Sequence, residues 1–133
     1  MLQIKKEIYE QLIAHAKKDD PIEACGYLAE KDGVVIKHFE MINTDQDREH
    51  FSMDPKEQFN VVKEVRNLGL KIKAVYHSHP ETPARPSQED IKLAYDPTIS
   101  YVIVSLLKDS GDQVKSFFIK KGEVENEPIE VVD

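Results

Sequence analysis

The stretch Val75–Asp90, VYHSHPETPARPSQED, decides how the chain is to be folded, because two histidines one residue apart close a run of strand-forming residues and three prolines follow. If the strand beginning near Ile72 continues into His77, its period of two places His77 and His79 on one side, a few ångströms apart at its carboxyl end. Two imidazoles so placed can grip one cation. A third donor lies in PSQED, where Ser87 after Pro86 is a natural N-cap and residues three apart on the first turn share a face, so Ser87 and Asp90 look the same way. Two neutral nitrogens and one carboxylate oxygen suit zinc, and three protein ligands leave a fourth position open, as in a catalytic rather than a structural site. Prolines 80, 83 and 86 stiffen the connection. The chemistry then needs a base, and Glu23 in DDPIEACGYL, an acid at the start of an otherwise apolar segment, is the candidate.

Upstream of this stretch, DPKEQFNVVKEVRNLGL predicts a helix with Asp54 as N-cap, Pro55 at the first position, Glu57 three residues after the cap, and Phe59, Val62, Val65 and Leu68 along one stripe. The polar segment NTDQDREHFSMDP before it predicts a binding loop that ends in a short strand at Phe51 and Met53. Earlier still, EACGYLAE and GVVIKHFEMIN read as two antiparallel strands joined at Asp32-Gly33. Apolar residues at Ile4, Ile8, Leu12, Ile13 and Ala16 predict a first helix over Ile4–Lys18. Downstream, PSQEDIKLAYD predicts a short helix, SYVIVSLL a strand covered on both faces, and DQVKSFFIKKGEVEN a further strand or hairpin. This order implies an α/β domain with a mixed sheet and helices packed against it.

The 133 residues are 40% hydrophobic and 32% charged, which fits one compact domain over 1–133. A net charge of −7, with lysines scattered among acids, argues against a phosphate-neutralising surface and so against nucleic acid as partner. The lone Cys25 excludes an internal disulfide and any zinc site needing two or four cysteines; a reducing cytoplasm is expected. No signal-peptide core or membrane-spanning run is visible.

Glu23, the HSHP stretch and SQED, with seven residues between His79 and Ser87, resemble the pattern of JAMM (MPN+) metalloproteases and depart from it nowhere. The resemblance implies a largely antiparallel mixed sheet flanked by helices, the cytidine-deaminase-like layered fold, in a small prokaryotic single-domain member. It also implies that His77, His79 and Asp90 bind zinc, that Glu23 moves the proton from water to the leaving amine, and that Ser87 hydrogen-bonds the oxyanion. The substrate class so implied is a ubiquitin-like or sulfur-carrier protein, cut after its carboxyl-terminal Gly-Gly, its tail extended in a groove. By the same analogy, Asn43–Ser52 is where partner contacts are expected.

Plainer readings compete for each residue. His77 and His79 can be solvated histidines at a strand end. Ser87 and Asp90 can be a capping box and no more. Glu23 can pair with Lys17 or Lys18. Cys25 reads as a small buried residue. His15, His38 and His50 read as surface or satisfied structural histidines, and Tyr76, Tyr101, Phe117 and Phe118 as core or groove residues. Phosphoesterases and metallo-β-lactamases also open on H-x-H but need further ligands downstream, and no histidine follows His79. Zinc deaminases need a P-C-x-x-C that is missing. A scaffold of the same fold, binding a ubiquitin-like partner without cutting it, is the rival from another class; such relatives usually lack a ligand.

Overall fold

The computed structural model describes residues 1–107 and 113–133. The described residues form strands β1 (Leu2–Lys5), β2 (Cys25–Lys31), β3 (Val34–Met41), β4 (Lys71–His79), β5 (Ser100–Ser105), β6 (Val114–Lys120), β7 (Glu123–Glu127) and β8 (Ile129–Val132). Helices α1 (Lys6–Asp19), α2 (Pro55–Asn67) and α3 (Gln88–Lys92) accompany them. All strands join one sheet in the order β7-β6-β5-β4-β2-β3-β1-β8. The pairs β2–β3, β2–β4, β5–β6 and β6–β7 are antiparallel; β4–β5, β1–β3 and β1–β8 are parallel. The expected mixed, mostly antiparallel sheet with helices against it is therefore what forms.

Period-two alternation gives the sheet two apolar faces. On one, Leu28, Tyr76, Val102 and Val104 pack with Leu2, Ile4 and the α1 residues Ile8, Leu12 and Ala16. On the other, Cys25, Ala29, Phe39 and Met41 meet Val61 and Val65 of α2, and farther along Ile103, Phe117 and Ile119 gather Ala84 and Ile91. Cys25 is a fully buried free thiol, as expected. The β2–β3 hairpin turns at Asp32 and Gly33, with φ of 52° and 86°, and β6–β7 turns at Lys121 and Gly122, with φ of 50° and 80°. Those are the left-handed dihedrals that a two-residue hairpin loop demands.

Several elements differ from expectation. Ile4 lies not in the first helix but in β1, where Leu2 and Ile4 alternate inward with Gln3 and Lys5 and the backbone pairs with β3 and β8. No element was predicted for β8, which lies parallel to β1. Phe51–Met53 forms no strand: the Thr44 amide donates to the Ser52 carbonyl, and Phe51 and Met53 turn their side chains onto the cluster around Cys25. In α2, Asp54 caps as expected, accepting from the Lys56 amide, but Glu57 closes no capping box and instead accepts from the Ile42 amide at 3.2 Å. Its inward pair is Val61 and Val65, while Phe59 and Val62 face solvent. Of the strand expected from Asp112, that first residue lies outside the described residues.

Gly26 in β2 leaves no room for a side chain. A Cβ there would stand 2.3 Å from the Phe39 carbonyl oxygen and 2.6 Å from the Tyr76 hydroxyl. That hydroxyl is committed to His15 Nδ1 at 2.8 Å, so it cannot yield freely. Gly26→Ala is expected to destabilise the fold by about 3 kcal/mol, the upper end for overpacking, read as a lowered urea midpoint.

Candidate metal centre

Strand β4 runs through His79, so His77 and His79 do project to the same side, beside β2 and β5. The loop after β4 is pinned to β5: Leu106 N donates to the His79 carbonyl at 3.1 Å and Ser105 Oγ to the Thr82 carbonyl at 2.7 Å. It then delivers α3, whose N-cap is Ser87. Ser87 Oγ accepts from the Asp90 amide at 3.0 Å and Asp90 Oδ2 from the Ser87 amide at 2.9 Å, so the capping box is present. The same Asp90 Oδ2 also lies 3.1 Å from His79 Nε2 and 3.2 Å from His77 Nε2. Capping and convergence on the histidines are thus simultaneous; the box holds the carboxylate in place.

The third edge, His77 Nε2 to His79 Nε2, is 3.2 Å. Donors about 2.0 Å from a tetrahedral ion would be separated by roughly 3.3 Å, so the three atoms already form one face of such a polyhedron. The tautomers fit as well. His79 Nδ1 lies 2.9 Å from the Pro83 carbonyl, which can only accept, so the proton of a neutral ring sits on Nδ1 and the Nε2 lone pair faces the other two corners. His77 stacks on the Phe51 ring at 4.7 Å between centroids. Burial alone would push the Asp90 carboxyl up, but the adjoining His77 and His79 rings and the Ser87 amide outweigh it and hold the group well below the usual carboxylate range. His77, His79 and Asp90 form the group of donor atoms that can hold a metal ion among the described residues.

Glu23 lies just before β2, and the register that sets Cys25 opposite His77 carries it to the neighbourhood of His79. Ser78 clamps this end: its Oγ accepts from the Ala24 amide at 2.7 Å and its amide donates to the Ala24 carbonyl at 2.9 Å. The Glu23 side chain pairs with neither Lys17 nor Lys18; Lys18 binds Glu40 at 2.7 Å instead. Glu23 is 3% exposed, and its Oε1 has no hydrogen-bond partner among the described residues. Burial pushes its carboxyl up to about 9, with the charges of Asp90, Glu89, Asp47 and Glu49 adding to the shift.

The loop after β3 crosses to the site. Phe51, Ser52 and Met53 form one wall of a cavity of about 330 Å³ whose other lining includes His77, Asp90 and Tyr101. His50 pairs with Glu89 of α3, and Arg48 with Glu81 at 3.4 Å. The remaining histidines are structural or superficial, as expected: His15 is buried against Tyr76 and Asp19, and His38 faces Glu40. Tyr76 and Phe117 are core; Tyr101 and Phe118 are half-buried. Ser78 and the Pro83 carbonyl were not singled out in the sequence, and Phe51 and Asn43 entered only as members of the segment expected to contact a partner. A serine between two histidines carries no distinctive spacing, and a carbonyl carries no side-chain pattern at all.

Fold and cluster together define an α/β protein with three converged donors able to hold one cation. Residues 5–120 match the family described as prokaryotic homologs of the JAB domain. The CysO-cysteine peptidase of Mycobacterium tuberculosis is 34% identical over 135 residues, covering 100% of this chain and 92% of its own. A desampylase of Haloferax volcanii is 27% identical over 78% of this chain and 80% of its own. The solution structure of protein DSY2949 from Desulfitobacterium hafniense superposes with a TM-score of 0.90 at 44% identity, over 100% of this chain and 94% of that one. The chain belongs to the prokaryotic JAB-domain family and is a JAMM-type peptidase. Among the described residues no helix is long and apolar enough to cross a membrane.

Proposed function

We propose that this protein, acting as one catalytic domain over 1–133 in the cytoplasm, is a zinc-dependent peptidase that hydrolyses the amide bond following the carboxyl-terminal Gly-Gly of a ubiquitin-like or sulfur-carrier protein. The observation that carries the reading is the His77–His79–Asp90 triangle, with edges of 3.1 to 3.2 Å and the His79 lone pair fixed inward by Pro83. The inward lone pair of His79 and the Asp90 carboxylate oxygen are acceptors in contact, which a cation shared with His77 would satisfy together. Two imidazoles and a carboxylate match zinc, and three ligands leave room for a reactant. When bound, zinc supplies Lewis acidity toward a carbonyl and makes water a stronger acid.

The chain's own residues do the rest. Glu23, held in a dry niche, takes a proton from the attacking water and passes it to the departing amine. A cation in the triangle offsets the Asp90 charge that disfavours a Glu23 carboxylate, so the base form becomes available once the site is loaded. Ser87 Oγ is engaged as an acceptor by the Asp90 amide, which leaves its hydroxyl proton free to donate to a developing oxyanion. The cavity walled by Phe51, Ser52 and Met53 would take the extended tail. Support for the substrate class comes from the relatives: one is named for cysteine attached to CysO, another a desampylase.

Incubation of the zinc-loaded protein with carriers of ubiquitin fold, extended past Gly-Gly by one residue or by a peptide, should yield the shortened carrier by mass spectrometry. A metal-loaded protein that leaves every such carrier intact would overturn this reading.

A further inference from the structure

We propose that Asn43 is the positioning residue that seats Glu23 against the cation site and joins it to the substrate loop 43–52, an inference that rests on the peptidase reading above. Asn43 follows β3 and is 5% exposed. Its carboxamide is fully used. Nδ2 donates to the Glu23 carbonyl at 3.1 Å and to the His50 carbonyl at 2.9 Å, while Oδ1 accepts from the Asp45 amide at 3.0 Å and the Ser52 amide at 3.2 Å. One side chain thus satisfies two donors and two acceptors drawn from three places along the loop and from the residue carrying the carboxylate.

The bond to Glu23 does not stand alone. The Glu23 amide donates to the Asp47 carbonyl at 2.9 Å, so both peptide groups flanking that residue are held by the loop. On the far side, Ser78 grips Ala24 from β4 between the two histidines. The segment is therefore braced from the loop by Asn43 and from the histidine strand by Ser78, and only the brace from β4 belongs to the sheet. Glu23 precedes β2, so no ladder bond fixes its backbone. Without the carboxamide, nothing in the loop but the Asp47 carbonyl would keep the carboxylate in its buried niche. The same loop supplies Phe51, Ser52 and Met53 to the cavity wall, so a tail bound there presses on the group that orients the base. No other residue type fits the post as well. Aspartate keeps the acceptor half but turns the donor half into an acceptor facing two carbonyls, and alanine leaves all four partners without one.

The test uses the full chain with Asn43→Asp and Asn43→Ala, the second keeping the question answerable if a buried carboxylate blocks folding. Zinc affinity by calorimetry should stay at the wild-type level, because Asn43 touches none of the three donors. Against an extended carrier, kcat should fall about 10- to 100-fold, as for loss of a group that orients another, and KM should change less than kcat. Independently of turnover, amide hydrogen exchange at Glu23 and Ser52 should speed up in Asn43→Ala, and at Glu23 in Asn43→Asp, while that of the β2 interior stays slow. Wild-type exchange at those two amides, or kcat within about threefold of wild type in a folded variant, would overturn the assignment of Asn43. A wild-type protein that binds zinc but cuts no carrier would overturn the peptidase reading instead, whatever exchange shows.

Discussion

Asp90→Asn is expected to abolish the stabilisation that zinc confers and the cleavage that depends on it, while the apoprotein remains folded. The reason is that Asp90 does two separable jobs. Its backbone amide caps α3 through Ser87 Oγ, which does not depend on the side chain, and the bond that its carboxylate accepts from the Ser87 amide can be kept by an asparagine oxygen. Its Oδ2 is the one charged corner of the triangle. An amide there removes the charge that attracts a dication and turns one acceptor into a potential donor toward the histidine lone pairs, so the apo form loses a repulsion and the holo form loses a ligand. A cation that binds only the native state stabilises it by about 4 kcal/mol at a thousandfold excess over Kd. For a chain of this size that is a rise in melting temperature on the order of 10 °C, which scanning calorimetry with and without zinc reads directly. In the wild type the rise should appear and a chelator should reverse it; in the variant it should nearly vanish, and turnover should fall to the level of the chelator-treated wild type. A full zinc-induced rise in the variant would mean that the ion sits elsewhere.

The residues behind that prediction were legible before any coordinates because their chemistry is local: H-x-H on a strand and S-x-x-D at a helix start each fix relative positions within a turn or a pleat. The β2–β3 hairpin was legible for the same reason, since Asp32-Gly33 carries its turn in two residues. What escaped depended on partners far along the chain. Leu2–Lys5 is too short to declare a period, and it becomes a strand only because Val34 and Val35 on one side and residues 129–132 on the other offer it backbone partners. In α2 the stripe through Phe59 and Val62 and the stripe through Val61 and Val65 are equally apolar on paper. The sheet chose the second, and Gln58, next to it, found the Tyr27 hydroxyl at 2.9 Å. Asn43 escaped because an asparagine after a strand reads as a turn residue, and its value lies in carbonyls and amides that have no letter in the sequence. Glu23 sits between these cases: its placement in an apolar segment flagged it, but only the β2–β4 register brought it to His79.

Glu23→Gln separates proton transfer from metal binding, and its two expected effects point in opposite directions. Glutamine fills the same volume but cannot take a proton from water, so turnover should drop by about 10²- to 10⁴-fold, the range for removal of a general base, with zinc affinity retained because the triangle is untouched. The apoprotein should behave the other way. Burial raises the Glu23 carboxyl from its ordinary 4.5 to about 9 in the folded chain. Between those limits the native state holds a proton that the unfolded chain has released, so native stability falls as pH rises through the window. Below pH 4.5 both states are protonated and Glu23 imposes no penalty; near pH 9 the penalty is complete. Glutamine never ionises, hence the variant apoprotein should gain stability over wild type progressively from pH 5 to pH 9, read as diverging urea midpoints. Added zinc should shrink that divergence, since a dication beside Asp90 favours the Glu23 carboxylate in the wild type and has no charge to favour in the variant. Parallel midpoints across the whole range would show that Glu23 reaches solvent as an ordinary carboxylate, and a buried base beside the cation would no longer be tenable.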